Sequence, residues 1–467
     1  MRRVVVVGSG MAATRLVERL VARGTANEIT VLGDEPHAPY NRILLSAVLE
    51  GTHDVAAITL REPEWYAANG VDLRLGARVL DVDRDSREVM LVDGTRISYD
   101  VLVLATGSIP TLPPIRGLVR MDGQLHEAVH AFRSLDDCRR LLDTLPATRN
   151  AVVVGGGLLG LQVARALAVR DVATEVVEGG DHLLRSQVST AAGRIIARDL
   201  ARLGTTVYTG ARAVRLTEGG LQLDNGYLLS TDVVVLTAGG RPSTALARRA
   251  GLSVRRGIVV DDLLRSVDDP AIHAIGDCAQ HGGRTFGFVP PAWEQAEVLA
   301  AHLAGEQSSY DGSRVVARLR ATDLDVAVLG EPERAVGEVV EVSNPVTGTH
   351  RKLVVRDGVI VAATLVGDLS RVGLITQHFD RGTVLAATEP GALLMPDPFQ
   401  VAPVSALPDD AEVCACAGVT AGRIRACASL ADVRESTHAT TGCGGCASAV
   451  RQLLATRPSS TLEGTRQ

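Results

Sequence analysis

The chain has 467 residues, enough for two to four domains that each bury a core of their own. Its 46% hydrophobic and 22% charged residues, with 47 glycines, are typical of a globular α/β protein. A net charge of −6 and the lack of any apolar run of about 20 residues argue against nucleic-acid binding and against a membrane span.

The chain opens with a strand–helix–strand pattern. Residues 2–8 predict a buried strand, 12–24 have helical periodicity, and 28–33 predict a second strand. The apolar start runs straight into a Gly-x-Gly turn without a cleavage site, so we expect no signal peptide and a cytoplasmic protein. The same pattern starts again at residues 150–156, which predicts two Rossmann-like dinucleotide-binding domains.

The first turn, Gly8-Ser-Gly10-Met-Ala-Ala13, joins the first strand to its helix. Gly8 permits the tight turn, Gly10 lets a pyrophosphate approach the backbone, and the small Ala13 lets helix and strand pack closely. The acidic pair Asp34-Glu35 follows the second strand, and we expect one of these carboxylates to accept the ribose hydroxyls of an adenosine.

The second turn has the same form, with Gly155, Gly157 and Gly160 at the three small positions. Glu178 ends the strand that follows, and a carboxylate there favours an unphosphorylated ribose and repels a 2′-phosphate. We therefore expect NADH to be preferred over NADPH. Arg185 lies nearby in the sequence and would partly offset that repulsion.

Two matching strand-plus-turn segments follow, at 99–110 and 231–242, and residues 310–390 form a strand-rich third region. The stretch 389–410 carries five prolines and little periodicity, which predicts a linker.

Four cysteines close the chain in the pattern Cys-x-Cys … Cys-x-x-Cys: Cys414, Cys416, Cys443 and Cys446. Such clustering in a reducing compartment favours a metal centre over a disulfide framework. Zinc sites usually have two to four residues between the cysteines of each pair, so the Cys-x-Cys half is atypical for zinc. A thioredoxin-like dithiol would use only Cys443 and Cys446. The spacing leaves an iron–sulfur cluster, zinc and a dithiol pair open.

The segments ATGSIP at 105–110 and IHAIGDCAQ at 272–280, taken with the two turns, resemble the two-dinucleotide-binding flavoprotein reductases. The resemblance implies that Asp277 binds the ribityl chain of FAD, that the first unit holds its ADP half, and that the second unit binds the nicotinamide cofactor. It also implies that Thr106 and Gly107 lie at the crossing near FAD. Thiol–disulfide chemistry beside the flavin is excluded, because no cysteine precedes Cys138.

The segment PYNRILLS at 39–46 resembles the nitrite-reductase and rubredoxin- or ferredoxin-reductase branch, which implies that Arg42 lies against the FAD phosphates or adenine. No catalytic residue is expected, because hydride transfer to a flavin needs no protein general base. The expected cofactor-binding residues are Gly8, Gly10, Met11, Ala12, Ala13, Asp34, Glu35, Arg42, Ser46, Val79, Ala105, Thr106, Gly107, Gly276, Asp277, Gly155, Gly157, Leu158, Leu159, Gly160, Glu178 and Gly239.

The cysteine-rich end resembles the bacterioferritin-associated-ferredoxin-like [2Fe–2S] domain, which implies that all four terminal cysteines bind the cluster and that Cys427 does not. The implied architecture is glutathione-reductase-like, with an FAD-binding domain at 1–112 and 238–305, an NAD(P)H-binding domain at 113–237, a small α/β interface domain at 306–390, a linker at 391–411 and a small helical [2Fe–2S] domain at 412–467.

The order of these domains resembles the front half of the large subunit of assimilatory NAD(P)H nitrite reductases and the electron-transfer subunit of assimilatory nitrate reductase. The resemblance implies hydride transfer from NAD(P)H to FAD, then single-electron transfer through the cluster to a redox partner protein, a nitrate or nitrite reductase catalytic subunit. The sequence has no sirohaem-binding segment after Cys446, so we expect no nitrite reduction by the chain itself.

Three alternatives remain at this point. One is a rubredoxin- or ferredoxin-type reductase, which would lack the cysteine-rich end. Another is the FAD-and-cluster subunit of an amino-acid dehydrogenase, against which the segment at 39–46 argues. The third is a diaphorase whose terminal domain serves docking or binds zinc and takes no part in electron flow.

These residues predict the metal and flavin content of the purified protein. We expect about one FAD and about two iron atoms per chain, because there is one set of predicted FAD-binding residues, with Gly8, Gly10 and Asp277, and one set of four terminal cysteines. Metal analysis and visible absorption after anaerobic purification measure both, and zinc in place of iron would refute the cluster assignment.

Overall fold

The computed structural model describes residues 1–321, 323–385, 390–395, 407–414, 417–441 and 446–455. The elements up to residue 110 are β1 (Arg2–Val7), α1 (Met11–Ala22), β2 (Asn27–Leu32), α2 (Leu45–Glu50), α3 (Val55–Ile58), α4 (Pro63–Ala68), β3 (Val71–Arg74), β4 (Val79–Asp83), β5 (Glu88–Leu91), β6 (Arg96–Ser98), β7 (Val101–Leu104) and β8 (Ser108–Pro110). The next elements are β9 (Val129–Ala131), α5 (Leu135–Thr144), β10 (Asn150–Val154), α6 (Leu158–Val169), β11 (Ala173–Glu178), α7 (Thr190–Arg202), β12 (Thr205–Thr209), β13 (Ala213–Thr217), β14 (Gly220–Leu223), β15 (Leu228–Leu229), β16 (Val233–Leu236) and β17 (Gly240–Pro242).

The second half continues with α8 (Ala245–Arg249), β18 (Ile258–Val260), β19 (Ile272–Ala274), β20 (Ala279–His281), α9 (Val289–Leu303), β21 (Val316–Ala321), β22 (Leu324–Leu329), β23 (Glu338–Asn344), β24 (Thr349–Arg356), β25 (Val359–Val366), α10 (Val372–Arg381) and α11 (Pro390–Leu394). The last elements are β26 (Glu412–Cys414), β27 (Val419–Thr420), α12 (Ala421–Ala426), α13 (Leu430–Thr437) and α14 (Ala447–Ala455). None of the helices in the described ranges has the length and apolar character needed to cross a membrane.

The first unit is built on a parallel five-stranded sheet in the order β19-β7-β1-β2-β3. Strand β7 is buried along its whole length and β1 along its last four residues, as expected for parallel strands covered on both faces. Helices α1 and α9 pack against each other beside this sheet. Strand β19 and helix α9 belong to the second stretch of chain that the sequence assigns to this unit, so the sheet brings the Asp277 loop next to the first Gly-x-Gly turn.

The second unit repeats the plan with the parallel order β12-β11-β10-β16-β9. In each unit the strand before the glycine turn pairs on one side with the next strand of its strand–helix–strand pattern, and on the other side with a later strand. The two Rossmann-like units expected from the sequence are therefore present.

The third region is an antiparallel sheet in the order β21-β22-β25-β24-β23. One face packs on α10 and α11, and residues of the other face, such as Val326 and Val328, share a hydrophobic core with the second unit. The predicted linker begins too early: Leu393 and Leu394 of α11 are buried in the core of this sheet, and Arg351 Nη1 donates to the Leu394 carbonyl at 2.6 Å. The five prolines of this stretch suggested a linker, although Leu393 and Leu394 are apolar. Residues 396–406 lie outside the described residues.

Residues 407–455 form what we call the cluster module. Its described residues bury a small core of their own, which contains Val419, Ile424, Val433, Val450 and Leu453 together with Cys414 and Cys446. The module is mainly helical, as the sequence predicts, with one short antiparallel strand pair, β26 and β27.

Candidate cofactor sites

The first glycine turn separates a position required by the fold from one that leaves space for a ligand. Gly8 has φ +108°, and a Cβ on it would lie 2.3 Å from the carbonyl oxygen of Ala105. Gly10, directly before α1, has no atom within 4 Å of a built Cβ. Packing therefore demands glycine at Gly8 but not at Gly10, where the open space faces the N-terminus of α1, a favourable place for phosphate groups.

The second turn has the same division of roles. A Cβ on Gly155 would lie 2.6 Å from the carbonyl oxygen of Thr237, and one on Gly160 would lie 1.9 Å from the carbonyl oxygen of Gly155. Gly157, directly before α6, again has nothing within 4 Å. At Gly10 and at Gly157 the turn thus leaves a space, bounded by backbone, that a side chain would fill. Such a space fits the pyrophosphate of a dinucleotide at each turn.

At the end of β2 the carboxylate of Glu35 has two partners. Tyr40 Oη donates to its Oε2 at 2.7 Å, and Arg42 Nη2 donates to its Oε1. Burial raises the pKa of Tyr40, which keeps its hydroxyl a donor. Asp34 is 66% exposed and lies 3.9 Å from Arg78. Arg42 is therefore positioned by Glu35, and Asp34 is the acidic residue of the pair that faces solvent.

The carboxylate of Asp277 contacts the 105–110 segment, which the resemblance places near the flavin together with the Asp277 segment. Its Oδ2 accepts from Ser108 Oγ at 2.7 Å and from Arg133 Nη2 at 2.8 Å. Arg133 Nε is buried without a hydrogen-bond partner among the described residues. Neither Ser108 nor Arg133 was predicted: Arg133 directly precedes the N-cap of α5, far from every recognised motif, and no sequence signal connects it with Asp277.

Other predicted residues surround this point. A Cβ on Gly276 would lie 3.2 Å from the Cβ of Ala12, so the Asp277 loop and the start of α1 touch. Thr106 Oγ1 donates to the Ser243 carbonyl at 2.7 Å, where β8 pairs with β17. The remaining predicted residues lie as follows: Met11 and Ala13 at the start of α1, Ser46 buried in α2, Val79 at the start of β4, Ala105 after β7, Gly107 before β8, Leu158 and Leu159 at the start of α6, and Gly239 before β17.

Glu178, at the end of β11, is oriented by the backbone. Its Oε2 accepts from the Gly156 N–H at 2.8 Å and its Oε1 from the Gly180 N–H at 2.6 Å. Arg185 Nε lies 3.7 Å from Oε1, and the Arg185 side chain is 64% exposed. The negative charge is thus held beside the second turn, and the arginine expected to offset it is present but largely solvated.

Two of the four predicted cluster ligands fall within the described residues. Cys414 and Cys446 are both buried in the core of the cluster module, and the Thr440 N–H donates to Cys446 Sγ at 3.2 Å. Backbone N–H donation to sulfur is typical of iron–sulfur sites, so these residues fit a [2Fe–2S] cluster. Cys416 and Cys443 lie outside the described residues. Elsewhere in the described ranges no three His, Cys, Asp or Glu side chains gather as a metal site.

The other three cysteines, Cys138, Cys278 and Cys427, are buried packing residues. Cys138 and Cys278 are fully buried, and burial raises the pKa of Cys138 to about 12 and also raises that of Cys278. Cys427 is buried just after α12, where its Sγ contacts the Arg423 carbonyl at 3.2 Å and Ser436 Oγ at 3.3 Å. Because a thiol with a raised pKa is a poor nucleophile at neutral pH, Cys138 and Cys278 have no role in thiol chemistry.

The cluster module lies directly against the first unit. Among the polar contacts of the described residues, Asn41 Nδ2 donates to the Thr441 carbonyl, Arg61 Nη2 donates to the Glu435 carbonyl at 3.5 Å, and His438 Nε2 lies 3.5 Å from Glu18 Oε2. Asn41 precedes Arg42, and Thr441 lies two residues before the predicted ligand Cys443. The described segment that leads to Cys443 therefore contacts the residue that precedes Arg42, a predicted FAD-binding residue.

Two glycine turns that leave room for dinucleotides, an Asp277 loop beside the first of them and a cysteine-bearing module define a flavoprotein with two dinucleotide sites and an attached iron–sulfur domain. Residues 2–296 match the family described as pyridine nucleotide-disulphide oxidoreductase, and residues 412–456 match the BFD-like [2Fe-2S] binding domain. The chain belongs to the pyridine nucleotide-disulphide oxidoreductase family. The predicted cofactors FAD, NAD(P)H and a [2Fe–2S] cluster are confirmed by these matches.

Individual relatives extend the likeness over most of the chain. The nitrite reductase [NAD(P)H] of Bacillus subtilis strain 168 is 34% identical over an alignment of 469 positions, which covers 97% of this chain and 57% of that protein. The assimilatory nitrate reductase electron transfer subunit of the same organism is 31% identical over 97% of this chain and 59% of its own length. The chain thus spans less than two thirds of the length of either relative.

Among solved structures, the covalent putidaredoxin reductase–putidaredoxin complex superposes with a TM-score of 0.76 at 25% identity, over 84% of this chain and 95% of the matched chain. The predicted fold class, a two-dinucleotide-binding flavoprotein architecture, is confirmed.

The glycine geometry gives a paired prediction. Gly157→Ala should leave the melting temperature nearly unchanged but weaken NADH binding at least about tenfold, because the new methyl group occupies only the ligand's space. Gly160→Ala should lower the melting temperature by several degrees, because its methyl group meets a backbone oxygen. Calorimetry and NADH titration measure both effects. Equal destabilisation by the two substitutions would contradict the division of roles.

The geometry at Glu178 predicts the cofactor preference. The wild type should use NADH more efficiently than NADPH, and Glu178→Gln should narrow the ratio of kcat/KM values because it removes charge while keeping side-chain size. Arg185→Gln, the matched control, should widen that ratio. A wild-type preference for NADPH of tenfold or more, about 1.4 kcal/mol, would mean that nearby arginines outweigh Glu178.

Proposed function

We propose that this chain is the NAD(P)H-oxidising unit of assimilatory nitrate or nitrite reduction and passes electrons singly to a catalytic nitrate or nitrite reductase partner. The observation that carries the proposal is one chain with two dinucleotide units and a [2Fe–2S] domain packed on the first of them. Relatives named as a nitrite reductase and as an assimilatory nitrate reductase electron transfer subunit match 97% of this chain, which supports the same role.

When bound, FAD would supply a two-electron acceptor for the hydride of NAD(P)H, and the [2Fe–2S] cluster would supply a one-electron carrier. The chain's own residues bind and orient these groups. Gly10 and Gly157 leave room for the two pyrophosphates, and the N-termini of α1 and α6 direct their partial positive charge at them. Glu178 selects the ribose of the nicotinamide cofactor.

In this proposal Asp277 receives the ribityl hydroxyls, and Arg133 and Ser108 hold its carboxylate in place. The unpartnered Nε of Arg133 supplies a further buried donor at the same point. No side chain has to give or take a proton during hydride transfer, and neither buried cysteine of the first two units is suited to thiol chemistry. These features support electron transfer rather than disulfide reduction.

A ligand substitution tests whether the cluster lies on the electron path. Cys443→Ser should spare NADH-driven reduction of a small dye that accepts electrons at the flavin, and should abolish reduction of an assimilatory nitrate reductase catalytic subunit. Cys427→Ser is the matched control within the same module: both its sulfur contacts can be made by a hydroxyl, so both activities should stay within about twofold of wild type.

Rates with dye and with protein acceptor are measured side by side on the same preparation. Undiminished reduction of the protein acceptor by Cys443→Ser would refute the electron path and favour a terminal domain that serves docking alone. Reduction of a ferredoxin, but of neither nitrate nor nitrite reductase, would instead favour a ferredoxin-type reductase.

A further inference from the structure

A buried group of charges lies where α1 meets the cluster module: Arg15 and Glu18 of α1, and Arg61 of the segment between α3 and α4. We call these three residues the docking group. Arg61 Nε lies 2.7 Å from Glu18 Oε1, and Arg15 Nη1 lies 3.8 Å from Glu18 Oε2. Burial raises the pKa of the Glu18 carboxyl. Two arginines share one glutamate here, so the group is net positive where the module covers it.

Arg15 is the most enclosed member of the docking group. The residue is only 7% exposed, its guanidinium lies 5.0 Å above the ring of Trp293, and its Nε has no hydrogen-bond partner among the described residues. Burial and the charge of Arg19 lower the pKa of Arg15. Arg15 approaches Glu18, and Glu18 contacts His438 of the module. Thr440, two residues after His438, donates its N–H to the predicted cluster ligand Cys446, so Arg15 is a buried cation next to the segment of the module that contacts this ligand.

The side chain that the described part of the module places against Glu18 is a histidine. His438 is the module residue that faces Glu18, and burial together with the arginines around it lowers its pKa to about 3. His438 is therefore neutral at physiological pH. The positive charge of Arg15 is balanced only in part by Glu18, which it shares with Arg61.

A cluster bound by four thiolates gains one negative charge on reduction, and its potential depends on nearby charge and on solvent exposure. A cation acts more strongly from a buried position than from the surface, because less solvent screens it. We propose that Arg15 sets the reduction potential of the docked cluster, favouring its reduced state while the module lies on α1. This inference rests on the proposed function, in which the cluster accepts electrons from FAD.

Substitutions of similar size that remove opposite charges test the inference in the holoenzyme. Arg15→Gln should lower the ratio of reduced to oxidised cluster at a fixed ambient potential about tenfold, or about 59 mV for one electron. Glu18→Gln should raise the same ratio, because it removes the negative charge next to Arg15. The ratio is read at pH 8 from the electron paramagnetic resonance signal during a redox titration.

Two controls separate charge from packing. Arg15→Lys keeps the positive charge and should keep the ratio within about twofold of wild type. Arg19→Gln removes a positive charge from the same helix, but Arg19 is 36% exposed and pairs with Glu297 at 2.6 Å, so the ratio should again change by less than about twofold.

An unchanged ratio in Arg15→Gln would overturn the inference, and so would shifts of the same sign in Arg15→Gln and Glu18→Gln, which would indicate loosened packing. If Arg15→Gln does not fold, Glu18→Gln decides alone, and an unchanged or lowered ratio overturns the inference. Failure of the proposed function is recognised separately, as a wild-type cluster that titrates normally but does not reduce the nitrate reductase subunit.

Discussion

The close approach of backbone to backbone at the two glycine turns is the constraint on which the rest of the structure depends. At Gly8 and Gly155 a carbonyl oxygen of a neighbouring strand end occupies the place of a side chain, and at Gly160 the oxygen belongs to the turn itself. Because the strand must turn this sharply, the following helix starts with its N–H groups pointing into open space. The turn that leaves no room for a side chain at Gly8 or Gly155 also creates the space for a ligand at Gly10 or Gly157.

The Asp277 loop depends on this arrangement in the first unit. Strand β19 pairs with β7, and this pairing carries the loop to the start of α1, where Gly276 meets Ala12. Arg133 reaches Asp277 from the second unit, where it lies between β9 and α5. The predicted FAD site thus draws on three separate stretches of chain, and hydrogen bonds among Ser108, Arg133 and Asp277 hold these side chains in place.

Contacts between the units are as important as the units themselves. The antiparallel sheet shares a hydrophobic core with the second unit, and α2 packs against α6, with Arg170 Nε donating to the Leu49 carbonyl. The cluster module meets the first unit through polar and charged groups. Apolar packing therefore joins the antiparallel sheet to the second unit. The contact between the cluster module and the first unit is polar instead, so its strength depends on the charges present there.

The sequence alone determined the parts of this protein that depend on local backbone chemistry: both glycine turns, the parallel strands that precede them, Glu178 at its strand end and the spacing of the four terminal cysteines. These patterns are readable because each reflects a short-range steric or ligand requirement. Tertiary structure alone decided that Arg133 and Ser108 hold Asp277. It also decided that Leu393 and Leu394 belong to the core of the antiparallel sheet rather than to a linker, and that Arg15 lies where α1 meets the cluster module. Those contacts join residues far apart in the chain. The sequence does not distinguish a buried arginine from a solvated one, because burial depends on which residues the fold brings around it.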